Sequence, residues 1–62
     1  MIKTTARGTY RSVVVQEQPS KFRLTSEFFP VNKREAPTIR GTYGDRNDAV
    51  KFWRDGIKSG FR

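Results

Sequence analysis

The chain contains no cysteine and no histidine among its 62 residues. Without cysteine it can form no disulfide bond, and it offers no thiolate as a zinc ligand or as a nucleophile. Without histidine it lacks the commonest general base and metal-binding side chain of proteins. Glycine-rich phosphate-binding loops and the G-x-S-x-G motif of hydrolases are also missing. We therefore expect a protein that is not an enzyme and that uses no cofactor and no metal.

Long apolar segments are missing as well. The longest apolar run, Val13 to Val15, is far shorter than the roughly 20 residues of a membrane-spanning helix. The first residues, Met1 to Arg7, do not contain the apolar segment of a signal peptide. Only 34% of the residues are hydrophobic, but five phenylalanines, two tyrosines and one tryptophan can build a compact core. We expect a soluble, cytoplasmic protein that forms a single small domain over residues 1–62.

Acidic residues are scarce relative to basic ones. Six Asp and Glu residues stand against 13 Lys and Arg residues, which gives a net charge of +7. A charge so far from neutral favours anionic partners. Nucleic acid is the first candidate, an acidic protein surface is the second, and anionic lipid is a distant third.

Three segments alternate basic or threonine residues with apolar or small ones. Successive side chains of a β-strand point to opposite faces, so this alternation predicts strands at about residues 5–16, 21–29 and 38–43. Short connections favour an antiparallel meander. We expect residues 1–4 to be a frayed end and residues 30–37 to be a mobile loop.

Strand parity sorts the side chains of these segments onto two faces. The predicted apolar face carries Tyr10, Phe22, Leu24, Ile39 and Tyr43. The predicted cationic face includes Thr38 and the eight candidate nucleic-acid-binding residues, which are Arg7, Thr9, Arg11, Lys21, Arg23, Thr25, Arg40 and Thr42. Such a sheet can fold through one face and bind a polyanion through the other.

Two valines do not fit this division. Val13 and Val15 have the same parity as Arg11, which places them on the cationic face. A β-bulge near Ser12 would return them to the core. Without a bulge they form an exposed apolar patch beside the arginines, and the sequence leaves both alternatives open.

A helix is predicted from Asp45 to about Ile57 or Lys58. Asp45 is a good N-cap, and Asp48 occupies the reciprocal position of a capping box. An apolar stripe follows at helical spacing, formed by Ala49, Val50, Trp53 and Ile57. We expect Trp53 to be the centre of the core. The predicted fold class is α+β, a three-stranded antiparallel sheet with one C-terminal helix packed on one face (β-β-β-α).

The segment from Gly41 to Trp53 carries a resemblance to a known group of domains. Gly41-Thr42-Tyr43 is followed by Ala49, eight residues after the glycine, and by Trp53 four residues later. This spacing resembles the strand-to-helix junction of AP2-type DNA-binding domains and of the arm-binding domains of tyrosine integrases. The resemblance implies a three-stranded sheet backed by one helix, with the exposed sheet face in the DNA major groove. It does not extend to the first two strands, so no base-reading residues are carried over.

The basic face has two interpretations. Lys and Arg neutralise phosphates, and Thr donates hydrogen bonds to phosphate oxygens, so the face can bind nucleic acid. Arg and Thr are equally common on the solvated face of an ordinary sheet, where charge discourages aggregation. Exposed aromatic residues could also stack on bases. Phe28, Phe29 and Phe61 are the candidates, although a domain this small needs its rings for the core. Phe29, which has the parity of the basic face, is the one to test.

Two functions therefore stay open. The first is a small basic nucleic-acid-binding protein that contacts duplex DNA through the cationic sheet face. The second is a regulatory modulator that docks on an acidic host protein, as many small phage-encoded proteins do. The contact would be made by the basic sheet, by the Val13/Val15 patch or by an open strand edge that adds a strand to the partner. A structural component of a virion or a ribosome is a weaker third interpretation.

Overall fold

Four antiparallel strands and one C-terminal helix make up the fold. The computed structural model describes residues 1–62 throughout. The elements are β1 (Ile2–Thr4), β2 (Gly8–Gln18), β3 (Lys21–Pro30), β4 (Thr38–Gly44) and α1 (Arg46–Lys58). The strands lie side by side in the order β1-β2-β3-β4. The α+β class and the C-terminal helix are confirmed, whereas the prediction of a three-stranded sheet is wrong by one strand.

The additional strand is formed by the residues that were expected to fray. Ile2 pairs with Arg11 in β2, and the amino group of Met1 donates a hydrogen bond of 2.8 Å to the carbonyl oxygen of Ser12. On its other side, Ile2 exchanges two backbone hydrogen bonds with Arg62, of 2.8 and 2.9 Å. Because β1 is three residues long and is held by distant partners, it leaves no alternation pattern to detect.

The β2–β3 hairpin has a continuous register. Pairing runs from Gly8 opposite Pro30 to Gln16 opposite Phe22, and the register shifts only between Gln16 and Gln18. There is no bulge at Ser12. Val13 and Val15 therefore lie on the same face as Arg11, which decides between the two alternatives that the sequence left open.

The face that carries the helix also carries most of the core. Along β2 and β3 it presents Tyr10, Ser12, Val14, Phe22, Leu24 and Phe28. Leu24 and Ser12 are buried, with 6% and 7% of their surface exposed. The rings of Tyr10 and Phe28 pack against each other, with centroids 4.5 Å apart. The predicted placement of Phe22, Leu24 and Tyr10 on the apolar face agrees with this register.

The phase of β4 is opposite to the prediction. Thr42 lies beside Leu24, and Arg40 lies beside Ser26, so both point to the helix side of the sheet. Ile39 and Tyr43 lie on the other face, where they are 62% and 56% exposed. Alternation within a strand decides which residues share a face, but the register with the neighbouring strand decides which face that is.

The helix begins with the predicted capping box. The Asp45 carboxylate accepts a 2.9 Å hydrogen bond from the Asp48 N–H, and the Asp48 carboxylate accepts a 3.0 Å bond from the Asp45 N–H. Of the helix residues, Ala49 and Gly56 are buried, whereas Trp53 is 47% exposed. The prediction that Trp53 is the centre of the core is therefore wrong. Ala49 and Gly56 share the inward side of the helix with half-buried Phe52, and Trp53 lies at the flank of that side.

The molecule is a thin slab with one uncovered side. Its Cα atoms span 39 × 22 × 10 Å, and only five of the 62 residues are buried. The accessible surface is 5071 Å². A compact monomer of 7.2 kDa is expected to expose about 4,100 Å². A single helix covers one face of the sheet, so the opposite face accounts for much of the excess.

Candidate functional site

The uncovered sheet face, hereafter the open face, carries five of the eight candidate residues. Alternation and register bring Thr9 and Arg11 of β2 together with Lys21, Arg23 and Thr25 of β3. All five belong to one hairpin. The open face is thus centred on the β2–β3 hairpin, with β1 and β4 at its sides.

The other three candidates lie elsewhere. Arg7 is exposed in the bend between β1 and β2, before the hairpin begins. Arg40 and Thr42 lie on the helix side of β4, as described above. The single face of eight residues that strand parity predicts is therefore divided, because β4 pairs with β3 in the other phase.

Both arginines of the open face are paired with glutamates. Arg11 Nε donates a 2.5 Å hydrogen bond to Glu27 Oε1, directly across the β2–β3 ladder. Arg23 Nε lies 3.0 Å from Glu17 Oε1. The side chains of Arg11 and Arg23 are still 50% and 49% exposed. The open face is therefore less positive than its arginines alone suggest, but each guanidinium group is accessible to solvent.

The Arg11–Glu27 pair perturbs both of its ionisable groups. The hydrogen bond from Arg11, supported by its charge, holds the pKa of Glu27 below its usual value against an opposing effect of desolvation. The same hydrogen bond and the charge of Glu27 raise the pKa of Arg11. Both groups are therefore charged at neutral pH, and the pair acts as a fixed dipole on the open face.

Two aromatic rings accompany the cations. Lys21 Nζ lies 4.5 Å from the centroid of the Tyr43 ring, and Arg11 Cζ lies 5.8 Å from that of Phe29. Phe29 is 37% exposed and lies beside Thr9. Strand parity predicts Phe29 on this face, but it places Tyr43 on the apolar face. Only the register of β4 could reveal Tyr43 as part of this surface.

Aliphatic side chains fill much of the remaining open face. Val13 pairs with Thr25, which in turn lies beside Gly41, so the centre of the face is low and flat. Val15 and Ile39 are 39% and 62% exposed on either side of it. The open face is a flat surface that exposes rings, hydroxyl groups and guanidinium groups. Such a surface suits contact with a large partner, whereas small molecules bind in concave pockets.

No three acidic side chains converge to form a potential metal site. The one helix is too short and too polar to cross a lipid bilayer. Comparison with protein-family models, with curated proteins and with solved structures yields no match to this chain.

Proposed function

We propose that the protein binds nucleic acid, with duplex DNA preferred, through the open face. The observation that carries this proposal is the placement of Arg11, Lys21 and Arg23 on one uncovered face of a protein with a net charge of +7. Lys and Arg side chains neutralise phosphates and release counterions, and this effect supplies most of the affinity of non-specific binding. Thr9 and Thr25 add hydroxyl donors for phosphate oxygens on the same face.

The dimensions of the hairpin support a preference for duplex DNA. The B-DNA major groove is about 12 Å wide and accepts a two-stranded β-ribbon. All five candidate residues of the open face lie on β2 and β3, which are adjacent strands about 5 Å apart. The resemblance of residues 41–53 to AP2-type domains, which bind DNA through a sheet face, supports the same preference.

The glutamates of the open face determine how strongly it can attract phosphate. Ion pairs at a protein surface contribute only about 0–1 kcal/mol, so a phosphate group can displace a carboxylate from its arginine. Glu17 and Glu27 thus compete with nucleic acid for Arg23 and Arg11. Replacing Glu17 with Gln removes one competitor without altering the backbone ladder. We expect tighter binding from Glu17→Gln and weaker binding from Arg23→Ala.

The test is a titration of duplex DNA, single-stranded DNA and structured RNA at two salt concentrations. The double variant Arg11→Ala/Arg23→Ala is compared with Arg40→Ala/Arg54→Ala, which removes the same charge outside the open face. We expect the open-face variant to lose more affinity and to reduce the slope of log K against log salt by about one per arginine. Equal affinity of the two variants for duplex DNA at low salt would overturn the proposal.

A second candidate function is regulation of a protein with an acidic surface. It is favoured by the exposed apolar residues of the open face, above all Ile39 and Tyr43. Aromatic residues and arginine are enriched in the centres of protein–protein interfaces. Failure to bind any nucleic acid in the titration, together with retention of one partner from nuclease-treated lysate, would favour this function.

A further inference from the structure

One edge of the sheet is occupied and the other is open. At the β1 edge, Ile2 exchanges both backbone hydrogen bonds with Arg62. At the opposite edge, β4 has no partner beyond β3, and six of its seven residues are exposed. Proteins usually protect such an edge with a bulge, a proline or inward-pointing charges. From Thr38 to Gly44 the β4 strand has a regular register and contains no proline, and its only charged residue is Arg40, on the helix side of the sheet.

We propose that two copies of this chain pair through β4, antiparallel about a twofold axis at Gly41, to form one continuous eight-stranded sheet. In this register, which uses all seven residues of the strand, Ile39 lies opposite Tyr43 of the second copy. Arg40 lies opposite Thr42, and Thr38 lies opposite Gly44. A twofold interface brings the same patch of both copies together, so a strand that pairs with itself must be self-complementary.

The side chains of β4 meet this requirement. Ile39 and Tyr43, at 62% and 56% exposure, become directly opposed apolar pairs on the open face, one on each side of the axis. The single charge of the strand, Arg40, faces a threonine. Moving the axis to Arg40 would oppose two arginines, and moving it to Thr42 would leave Ile39 without an apolar partner. Of these three axes, only the one at Gly41 pairs all seven residues, opposes Ile39 to Tyr43 and keeps the two arginines from lying directly opposite each other.

The charge distribution supports a second copy as the occupant. With a net charge of +7, two copies repel each other over most of their surface. The β4 edge, with one cation in seven residues, is where this repulsion is weak.

Cysteine cross-linking tests the pairing and its register. The chain contains no cysteine, so an introduced thiol is unique. A Cβ at Gly41 would contact only the Leu24 carbonyl and Thr25 Oγ1, both at 3.8 Å, so Gly41→Cys is compatible with the fold. Opposed residues of antiparallel strands have Cα atoms about 4.5–5.5 Å apart, within the range of a disulfide. In Thr38→Cys, the matched control, the two thiols would be about 20 Å apart.

Mild oxidation should convert Gly41→Cys almost completely to a covalent dimer and leave Thr38→Cys at the level of random collision. A mixture of Ile39→Cys and Tyr43→Cys should form the mixed dimer. Equal cross-linking of Gly41→Cys and Thr38→Cys would overturn the proposal. Because these measurements are made without nucleic acid, their outcome is independent of whether the open face binds DNA.

Mass measurement provides an independent readout. At about 0.1 mM, where a complex with a Kd near 1 µM is saturated, the unmodified chain should sediment at twice its monomer mass of 7.2 kDa. Ile39→Lys/Tyr43→Lys and Ile39→Glu/Tyr43→Glu should each be folded by circular dichroism. Each should sediment as a monomer, because like charges then oppose each other across the interface. Mixing the two should restore a dimer. A monomeric unmodified chain, or a dimer that survives either double substitution, would contradict the proposal.

Discussion

Glu27 links the chemistry of the open face to the stability of the sheet. Its side chain is only 10% exposed, and its carboxylate accepts the hydrogen bond from Arg11 across the β2–β3 ladder. Arg11 in turn lies over the Phe29 ring. This cluster joins an acid, a base and an aromatic ring at one end of the face. A single substitution at Glu27 should therefore change stability and binding in opposite directions.

Replacing Glu27 with Gln should lower the melting temperature at pH 7 and lower it by less at pH 3. The pKa of Glu27 is lower in the folded state than its ordinary value of about 4.3. The pair therefore stabilises the fold at pH above that value, and the contribution is lost as pH falls through the lower folded-state pKa. Thermal unfolding at the two pH values measures this contribution of the Arg11–Glu27 pair. Glu35→Gln is the control, because it removes a carboxylate that forms no ion pair. A deficit of equal size at both pH values would contradict this account.

Gly56 shows how a residue's role depends on distant contacts. Glycine inside a helix is about 1 kcal/mol less favourable than alanine, so from the sequence Gly56 only weakens the last turn of the helix. In the structure, a Cβ at this position would lie 2.6 Å from Met1 Cε. The missing side chain thus makes room for Met1, which leads into β1.

At the scale of elements, the first residue of α1 is determined by local hydrogen bonds, whereas the side that α1 turns inward depends on tertiary contacts. The reciprocal hydrogen bonds of Asp45 and Asp48 define its first turn without help from the sheet. Its rotation about its own axis places Ala49, Phe52 and Gly56 on the inward side, which the local capping box does not determine. As a result, Val50, Trp53 and Ile57 remain about half exposed along one flank.

Replacing Asp45 with Ala should destabilise the protein by about 1 kcal/mol, the typical cost of losing an N-cap side chain. Urea denaturation measures the change. Asp55→Ala is the control, because Asp55 is an exposed helix acid that forms no ion pair. If Asp45→Ala and Asp55→Ala were equally stable, the capping box would not contribute to the free energy of unfolding.

At the scale of the whole molecule, the core is one-sided and small. Leu24 and Ala49 are the only buried hydrophobic residues apart from glycines, and the largest apolar side chains remain partly exposed. A domain of about 60 residues buries only about 60% of the surface that its unfolded chain exposes. Its stability therefore depends on a few central contacts.

Replacing Leu24 with Ala should leave the protein largely unfolded at 25 °C. Large-to-small substitutions in a core cost about 2–5 kcal/mol, and a single core of this size rarely supplies more than about 3–5 kcal/mol. Circular dichroism and urea titration measure the loss. Val31→Ala, at a position that is 67% exposed, should remain folded. A Leu24→Ala variant as stable as Val31→Ala would show that the core lies elsewhere.

The sequence by itself determined the local elements. Alternation predicted β2, β3 and β4 to within a few residues, and the Asp45 and Asp48 spacing predicted the helix start. It also placed Thr9, Arg11, Lys21, Arg23 and Thr25 on one face, because hairpin partners share a short connection and one register. These features depend on neighbours along the chain, whose geometry is set by backbone sterics and local hydrogen bonds.

Only the tertiary structure decided how these elements meet. The phase of β4 follows from its register with β3 after a seven-residue connection. This register places Ile39 and Tyr43 on the open face and Arg40 and Thr42 on the helix side. The strand β1 depends on partners at both ends of the chain. The exposure of Trp53 depends on which side of the helix faces inward. The period of two residues in a strand or 3.6 in a helix determines which side chains share a face. Contacts between distant segments determine whether that face points to the core or to solvent.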